Sequence, residues 1–237
     1  MKNIDLQVAF EIELNVLDDV FNKPKSIDIE WWLNQGLEKF FKTRYSGVNY
    51  KGLGFEQDQK RIDDLRTLVT TISNSPSKES SVLYKVQLPS DYVFHLGDSA
   101  GIKPNDNYNE CWPLDEDDQY ITKYSDTLEA TIETIDRQRS NSLSEHILKY
   151  CSAKPLRLIQ GNEILLYTDG KYEVSEYLLT YLRRPKRIDI HSNPFAEYTD
   201  MPEHTHSEIV KMAAQMYIEN QSNKRINTHS AEVQEME

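Results

Sequence analysis

The sequence predicts an α+β protein: a helical bundle, formed by N-terminal helices and a C-terminal helix, with an inserted antiparallel β-rich domain. Apolar residues recur with helical spacing between residues 26 and 46 and again after Pro202. Between these helices, residues 82–88 alternate with the period of a strand. Later β-type runs are separated by glycine-containing dipeptides that favour hairpins.

The order of these patterns predicts three parts of the chain. An N-terminal arm and helical layer cover residues 1–75, and an antiparallel β-rich insertion with an acidic helical elaboration covers residues 76–200. The C-terminal helix and a polar tail, residues 201–237, complete the helical layer. The polar stretch SNSPSKES, residues 73–80, is the strongest internal boundary.

The composition is that of an ordinary folded chain, with 237 residues, 38% apolar and 28% charged. A chain of this length buries roughly 70% of its unfolded surface, so one domain or two small ones would fold without a metal or a disulfide. Cys111 and Cys151 form no C-x-x-C pair, which predicts two ordinary thiols in a reducing compartment. Because no run approaches the ~18 apolar residues of a membrane span and the N-terminus is acidic, we expect a soluble, unsecreted protein.

The charge balance limits the kinds of molecule that the chain is expected to bind. The chain has 27 Lys and Arg against 39 Asp and Glu, a formal charge of -12. This excess of acid argues against tight binding to nucleic-acid phosphates or to an anionic membrane. The same charge would keep subunits soluble before assembly, and it would also suit a surface along which DNA slides without sticking. The composition does not distinguish these two uses.

The N-terminal elements are predicted from caps and helical periodicity. Residues 1–25 mix apolar and acidic positions, which fits either an extended arm or a short helix. A helix begins at Ser26, a suitable N-cap, and ends near Ser46. A second amphipathic helix is predicted for residues 56–73, where apolar side chains keep the 3.6-residue period.

Strand signals dominate the next part of the chain. After the strand at 82–88, residues 155–160 and 163–168 flank Gly161-Asn162, and Asp169-Gly170 leads into residues 171–182, so we expect a three-stranded antiparallel meander. Beyond Pro185, the segment RIDI (187–190) is predicted to be a short strand.

The acidic middle and the C-terminal part carry further helix signals. Residues 125–136 place Leu128, Ile132 and Ile135 on one helical face, and Ser142-x-x-Glu145 resembles a capping box for a short helix ending at Tyr150. A last helix is expected from Pro202 to about residue 221. Residues 222–237 either order against a partner or extend that helix.

Enzyme signatures are not found: the chain has no G-x-S-x-G, Walker A, G-x-G-x-x-G or HExxH pattern, so we expect neither catalysis nor a cofactor. A metal-dependent hydrolase using His204, His206 and Glu208 is the alternative within the enzyme class. It is disfavoured because His204 and His206 point about 200° apart on a helix. We expect this turn to cap the helix and contact a neighbour.

Several charged runs leave their roles open. Asp63 and Asp64 are expected on a solvated or intersubunit helix face, and residues 115–118 in a solvated acidic loop without the calcium-binding pattern. The basic run at 183–187 fits a solvated turn, a patch pairing with acids of an adjacent subunit, or a contact with DNA phosphates.

Two aromatic pairs widen the apolar stripe of the helix that begins at Ser26. Adjacent helical residues lie ~100° apart, so one member of Trp31-Trp32 and one of Phe40-Phe41 would face the core and the other a second surface. This favours a partner. The alternative is a helix buried on two sides within one domain.

Five segments, in this order between residues 28 and 220, together resemble the structural proteins of crAss-like bacteriophages of Bacteroidetes hosts. In particular they resemble portal-proximal connector or tail-barrel ring proteins of the head-tail adaptor type. The segments are IEWWLNQGLEKFFKTRYSG, GLGFEQDQKRIDDLRTLV, VLYKVQLPSDY, YLLTYLRRPKRIDI and MPEHTHSEIVKMAAQMYIEN, of which the second and the last are the most specific.

The resemblance implies a virion protein, assembled in the host bacterial cytoplasm, that forms a ring joining portal to tail and continuing the DNA channel. The expected partners are further copies of the chain in a cyclic, twelve-fold homo-oligomer, the portal protein, neighbouring tail or connector rings and, transiently, the packaged DNA; no membrane is expected. A monomeric assembly or interaction module is the alternative.

Ring closure requires two different complementary surfaces on each copy. We expect the subunit interface to involve Trp31, Trp32, Phe41, Arg183, Arg184, Arg187, Glu203 and His204. We expect the channel to be lined by Asp63, Asp64, Asp115, Glu116, Asp117 and Asp118.

Overall fold

The computed structural model describes residues 1–17, 24–46, 58–105, 112–117 and 119–221. The chain divides into two compact units. The helical unit comprises Met1–Leu68 and Pro185–Glu237, and the sheet unit comprises Val69–Arg184. The observed boundaries, after Leu68 and after Arg184, lie earlier in the chain than the boundaries expected after residues 75 and 200.

The described part of the chain is mixed α+β, with five helices and two mainly antiparallel sheets. The helices are α1 (Asn3–Leu17), α2 (Ser26–Ser46), α3 (Gln59–Leu65), α4 (Ile135–Ser140) and α5 (His206–Gln221). The strands are β1 (Val69–Asn74), β2 (Ser77–Lys78), β3 (Leu83–Gln87), β4 (Tyr92–Pro104), β5 (Lys123–Asp126), β6 (Leu128–Glu129), β7 (Leu156–Gln160), β8 (Glu163–Tyr167) and β9 (Tyr172–Arg183).

Helix α2 is the centre of the helical unit, and its predicted bounds are confirmed. It packs against α5, and the two backbones approach closely at Gly36, where an added Cβ would lie 2.8 Å from the Ala213 Cβ. Its last turn is capped by the buried Arg61, whose guanidinium donates to the carbonyl oxygens of Thr43 and Arg44. A cation at this end also complements the helix dipole.

The N-terminal residues form a helix, α1, and not the extended arm that was the other possibility. Its first turn is anchored because the Asn3 amide donates to the carbonyl oxygens of Asp189 and Asn193. One face of α1 is buried through Leu6, Phe10 and Leu14. Packing of this face against α5 stabilises a helix that an isolated segment of this length would hold only marginally.

The helix predicted for residues 56–73 is wrong over its second half. The ordered helix α3 ends at Leu65, a 3-10 turn follows, and residues 69–74 form β1, which pairs antiparallel with β9. The segment VTTIS is rich in β-branched side chains, which favour the strand. The pairing with β9 outweighs the helical spacing of Val69 and Ile72.

The sheet unit contains two sheets that share a core. The four-stranded sheet has the order β1-β9-β4-β5, and the five-stranded sheet has the order β2-β3-β8-β7-β6, in which only β6 and β7 run parallel. The strand predicted at 82–88 is confirmed, since Tyr84 and Val86 of β3 face inward. They meet Tyr177 and Leu179 of β9 in the same core.

The predicted meander is right for one turn and wrong for the other. Gly161, with a φ of +60°, closes the hairpin between β7 and β8. Gly170, with a φ of +81°, instead sends the chain out of the five-stranded sheet, because β9 pairs with β1 and β4. The long strand β4, which sequence analysis did not identify, supplies β9 with a partner along its whole length.

Three further predictions are wrong. Residues 187–190 form no strand, because side chains of α2 pair with their backbone. Residues 125–136 do not form one helix: the four-residue strand β5 and the two-residue strand β6 precede α4. Residues 142–150 form turns and no helix.

The prediction for the last helix is confirmed over its described part, and the prediction for one cysteine is wrong. Pro202 caps a 3-10 turn that continues into α5, as predicted, whereas residues 222–237 lie outside the described residues. Cys151 is bonded in a disulfide, so the prediction of an ordinary thiol is wrong there; Cys111 lies outside the described residues. Among the helices that the structure describes, none is both long and apolar enough to span a membrane.

Candidate functional site

The tryptophan pair of α2 separates a core face from an exposed face. Trp32 is buried, 7% exposed, and its ring packs edge-on against Tyr217 of α5. Trp31 is 54% exposed and lies edge-on to Trp32, with ring centroids 4.5 Å apart. The expectation that one ring faces the core and the other faces outward is confirmed for this pair.

Helices α1 and α2 both carry exposed apolar side chains. The side-chain amide of Gln7 lies 3.4 Å from the Ser26 hydroxyl, which brings the first turn of α2 beside α1. Each helix carries an exposed apolar pair at i, i+4 spacing, which places both members on one face. We call this set the helical apolar face; it consists of Val8, Ile12, Ile27 and Trp31.

Two of the expected interface residues belong to the core and cannot contact a partner directly. Trp32 is buried as described, and Phe41 is only 3% exposed. Phe40 is buried as well, so the two phenylalanines do not divide between a core and a second surface. At Phe40 and Phe41, α2 is therefore buried on two sides within its own unit. This agrees with the alternative stated for this helix, which needs no partner at these positions.

Asp64 is not a channel-lining acid, because its side chain is only 1% exposed. It pairs with Arg44, Nε to Oδ2 at 2.8 Å, and with the imidazole Nε2 of His204 at 2.9 Å. Arg44 also pairs with Glu208 of α5, which Lys60 contacts at 2.9 Å. This chain of charges ties α2, α3 and α5 together inside the helical unit.

The other predicted acids are more accessible. Asp63 is half-buried on α3, and Asp115, Glu116 and Asp117 are exposed. The Asp115 carboxylate accepts the backbone N–H groups of Asp117 and Gln119, which fixes this acidic turn. Asp118 lies outside the described residues.

The basic run divides between the two units. Arg183 ends β9 and is half-buried, and Arg184, also in the sheet unit, donates its backbone N–H to the carbonyl oxygen of Asp91. Arg187 is exposed in the helical unit. These positions leave all three interpretations of the run available.

The turn before α5 holds its histidines apart. His204 bonds Asp64, whereas the buried His206 places Nε2 3.1 Å from the carbonyl oxygen of Met201. Glu203 is exposed and Glu208 pairs with Arg44 and Lys60. Within the described ranges, no three His, Cys, Asp or Glu side chains come together as metal ligands.

Sequence analysis missed a buried charged cluster in the sheet unit. Asp98 of β4 and Arg157 of β7 are both largely buried, with Arg157 Nε 3.7 Å from Asp98 Oδ2. The hydroxyls of Tyr177 and Thr127 donate to the same carboxylate oxygen, and Arg157 also contacts the His95 ring. We call these five residues the Asp98 cluster.

The cluster keeps its carboxylate ionised. Burial alone would raise the pKa of Asp98, but hydrogen bonds from His95, Thr127 and Tyr177 and the charge of Arg157 hold it below the ordinary value of 3.8. Burial and the adjacent carboxylate raise the pKa of the Tyr177 hydroxyl, so it remains a donor. Because Asp98 and Arg157 come from different sheets, the cluster links the two sheets of this unit.

The sheet unit has an exposed aromatic side chain of its own. Tyr150 and Cys151 are the central residues of a turn between Lys149 and Ser152, and both have positive φ, 48° and 60°. Positive φ at both central residues is the geometry of a type I′ turn, which residues other than glycine adopt at a cost. Tyr150 lies at the tip of this turn and is 97% exposed.

The local signals for these features were uneven. The Trp31-Trp32 pair was detectable from its spacing. The Asp98 cluster was not, because it joins residues from four separate segments.

In the comparisons with known proteins, no protein-family model matches the chain and no curated protein sequence matches it.

Proposed function

We propose that this chain is the repeating subunit of a ring in the head-to-tail connector or tail barrel of a bacteriophage. The resemblance of five sequence segments suggests this class. In this proposal α1, α2 and α5 form the helical-bundle layer of the ring, and residues 69–184 form its β-rich insertion. The chain acts by assembly and carries out no catalysis.

One observation carries the proposal: each unit presents its own exposed apolar side chains. The helical unit has the helical apolar face, represented by Trp31, and the sheet unit has the strained turn with Tyr150 at its tip. A closed ring is built from head-to-tail joints, each of which joins two different surfaces. Aromatic side chains of this kind dominate the energy of many protein interfaces.

The charge of the chain supports a channel role. With a formal charge of -12, a ring of many copies presents a strongly acidic surface. Asp63 and the acidic turn at Asp115, Glu116 and Asp117 are the accessible members of the expected lining. Like charge keeps DNA mobile in a channel, so the isolated protein should not bind duplex DNA in a salt-dependent manner.

Image averages of the purified chain, alone and mixed with portal protein, test the proposal directly. We expect closed rings of one symmetry, with mass photometry giving the copy number. Trp31→Ala should shift the population to smaller species at micromolar concentration. Lys42→Ala is the matched control, because Lys42 lies exposed on the same helix and, among the described residues, pairs with Glu38 alone.

A mixing experiment tests the head-to-tail arrangement. Tyr150→Asn removes the aromatic ring from the other proposed surface while tolerating positive φ. Trp31→Ala and Tyr150→Asn subunits should each fail to close rings alone, and their mixture should form dimers through the one intact joint. Compact monomers of the unaltered chain, also in the presence of portal protein, would overturn the ring and favour a monomeric interaction module.

A further inference from the structure

A polar cavity of about 610 Å³ lies within the sheet unit. Its walls come from α4, from the segment that follows α4, and from the turn between β8 and β9. Arg139, His146 and Lys171 bring three basic side chains to it. The remaining lining residues are Val82, Asp136, Ser140, Ile147, Thr168 and Asp169.

The walls are held in place by the protein itself. The Asp169 carboxylate accepts the backbone N–H groups of Leu148 and Lys171, both at 2.9 Å. The Tyr172 hydroxyl donates to the carbonyl oxygen of His146 at 2.9 Å. These bonds fix the backbone of the walls, whereas the side chains of Arg139 and Lys171 are exposed.

Two of the cations at the cavity have no acidic partner among the described residues. Lys78 and Lys154 of the same unit pair with Glu173 and Glu145, but no carboxylate pairs with Arg139 or Lys171. The Arg139 guanidinium lies over the Tyr167 ring, 4.8 Å from its centroid. A guanidinium stacked by its face keeps its N–H edge free for a planar or tetrahedral oxyanion.

His146 gives the cavity a buried polar wall. The residue is 4% exposed, and its Nδ1 is buried without a hydrogen-bond partner in the described part of the chain. Burial lowers the pKa of this imidazole, and the charges of Arg139 and Lys149 act in the same direction against that of Asp169. At neutral pH the ring is therefore uncharged and acts through hydrogen bonding. Because this Nδ1 is closed to solvent, a ligand in the cavity cannot reach it, and the ring contributes to the cavity through the small part of its surface that stays accessible.

We propose that this cavity binds a small ligand through an oxyanion, a phosphate or carboxylate group held by Arg139, Lys171 and His146. The Asp169 carboxylate is directed toward two backbone N–H groups, so it is not available to pair with Arg139 or Lys171. Asp136, exposed at the rim, favours ligands that combine the oxyanion with a hydroxyl or amino donor. The site is independent of ring formation.

Calorimetric titration of the full chain with sodium phosphate, sodium acetate and glycerol 3-phosphate tests the site. We expect binding of phosphate and of glycerol 3-phosphate, with the ester binding more tightly because its hydroxyl groups are donors for the Asp136 carboxylate at the same cavity. Arg139→Ala and Lys171→Ala should each weaken phosphate binding about tenfold, the usual effect of losing one charge-assisted contact. Asp136→Asn should strengthen it by removing a repulsive charge.

Arg137→Ala is the matched control, since Arg137 is an exposed arginine of the same helix that does not line the cavity. It should bind phosphate like the unaltered chain. Acetate binding without phosphate binding would assign the site to carboxylates. Equal affinities for Arg139→Ala and Arg137→Ala, or no saturable binding of any of the three probes at millimolar concentration, would overturn the proposal.

Discussion

Asn34 of α2 pairs with the backbone of Ile188 as a neighbouring strand would. Its Nδ2 donates to the Ile188 carbonyl oxygen and its Oδ1 accepts the Ile188 N–H, both at 2.9 Å. Glu30, one helical turn earlier, accepts the backbone N–H groups of Ile190 and His191. Side chains of α2 thus pair with the backbone of Ile188 and Ile190, and Asn3 of α1 pairs with the carbonyl oxygen of Asp189.

Asn34→Ala should destabilise the helical unit because it leaves two backbone groups of the buried Ile188 without partners. Each such group costs about 1–3 kcal/mol when it stays unpaired. Urea unfolding followed by tryptophan fluorescence measures the loss. Gln215→Ala is the control, since Gln215 is exposed and its amide bonds Glu219 one turn later in α5. Equal losses for the two variants would contradict the pairing.

This pairing shows why the sequence predicted a strand at 187–190. The alternation of RIDI describes an extended backbone correctly, but the partner of that backbone is chosen by side chains far away in the chain. Helix α2 was predictable because its cap, periodicity and end are all local signals. The same holds for the Gly161-Asn162 hairpin.

The other errors have the same physical origin. At residues 69–74 the spacing fits a helix and the β-branched side chains fit a strand, and the presence of β9 decides between them. At Asp169-Gly170 a hairpin dipeptide makes a turn between sheets because β4 competes for β9. For the candidate site, the exposed position of Trp31 was predicted from local spacing. The burial of Asp64 depends on its pairing with Arg44, so local spacing could not predict it.

Gly36→Ala should destabilise the contact between α2 and α5, although alanine is the better helix former by about 1 kcal/mol. The new Cβ would lie 2.8 Å from the Ala213 Cβ and 2.9 Å from the Ile209 carbonyl oxygen. Forcing two packed helix backbones apart costs typically about 1–3 kcal/mol, which exceeds the gain in propensity. A fall in Tm should be measurable by circular dichroism.

Gly97→Ala provides the comparison, because no atom lies within 4 Å of a Cβ built at Gly97. It should leave the Tm nearly unchanged. A Gly36→Ala variant as stable as the unaltered chain would show that α2 and α5 are less tightly packed than described.

Asp98→Ala and Arg157→Met should each destabilise the sheet unit strongly. Each variant leaves the opposite charge buried without its partner, which costs about 3–5 kcal/mol in buried ion pairs. The double variant should lose clearly less than the sum of the two, because neither charge remains to be compensated. Urea unfolding of the four proteins closes the cycle, and strict additivity would exclude a direct interaction.

Acid should destabilise the helical unit through His206. Burial lowers the pKa of this imidazole below its ordinary value of 6.5, with the Met1 amine acting in the same direction and the Met201 carbonyl and Glu203 opposing. Between the folded and unfolded pKa values the unfolded chain binds more protons. The stabilising contribution is therefore complete above pH 6.5 and is lost as the pH falls through the folded pKa.

The free energy of unfolding, measured in urea between pH 7.5 and pH 5, should fall on acidification. His206→Gln should reduce this slope, since a glutamine amide can still donate to the Met201 carbonyl oxygen but does not titrate. A smaller slope of the same sign should remain, because burial also lowers the pKa of His146 in the sheet unit. His191→Gln, at an exposed histidine, controls for the general loss of an imidazole. Because the lowered pKa of Asp98 acts only below its ordinary value of 3.8, that carboxylate does not contribute in this range. An unchanged slope in His206→Gln would assign the acid sensitivity to a different group.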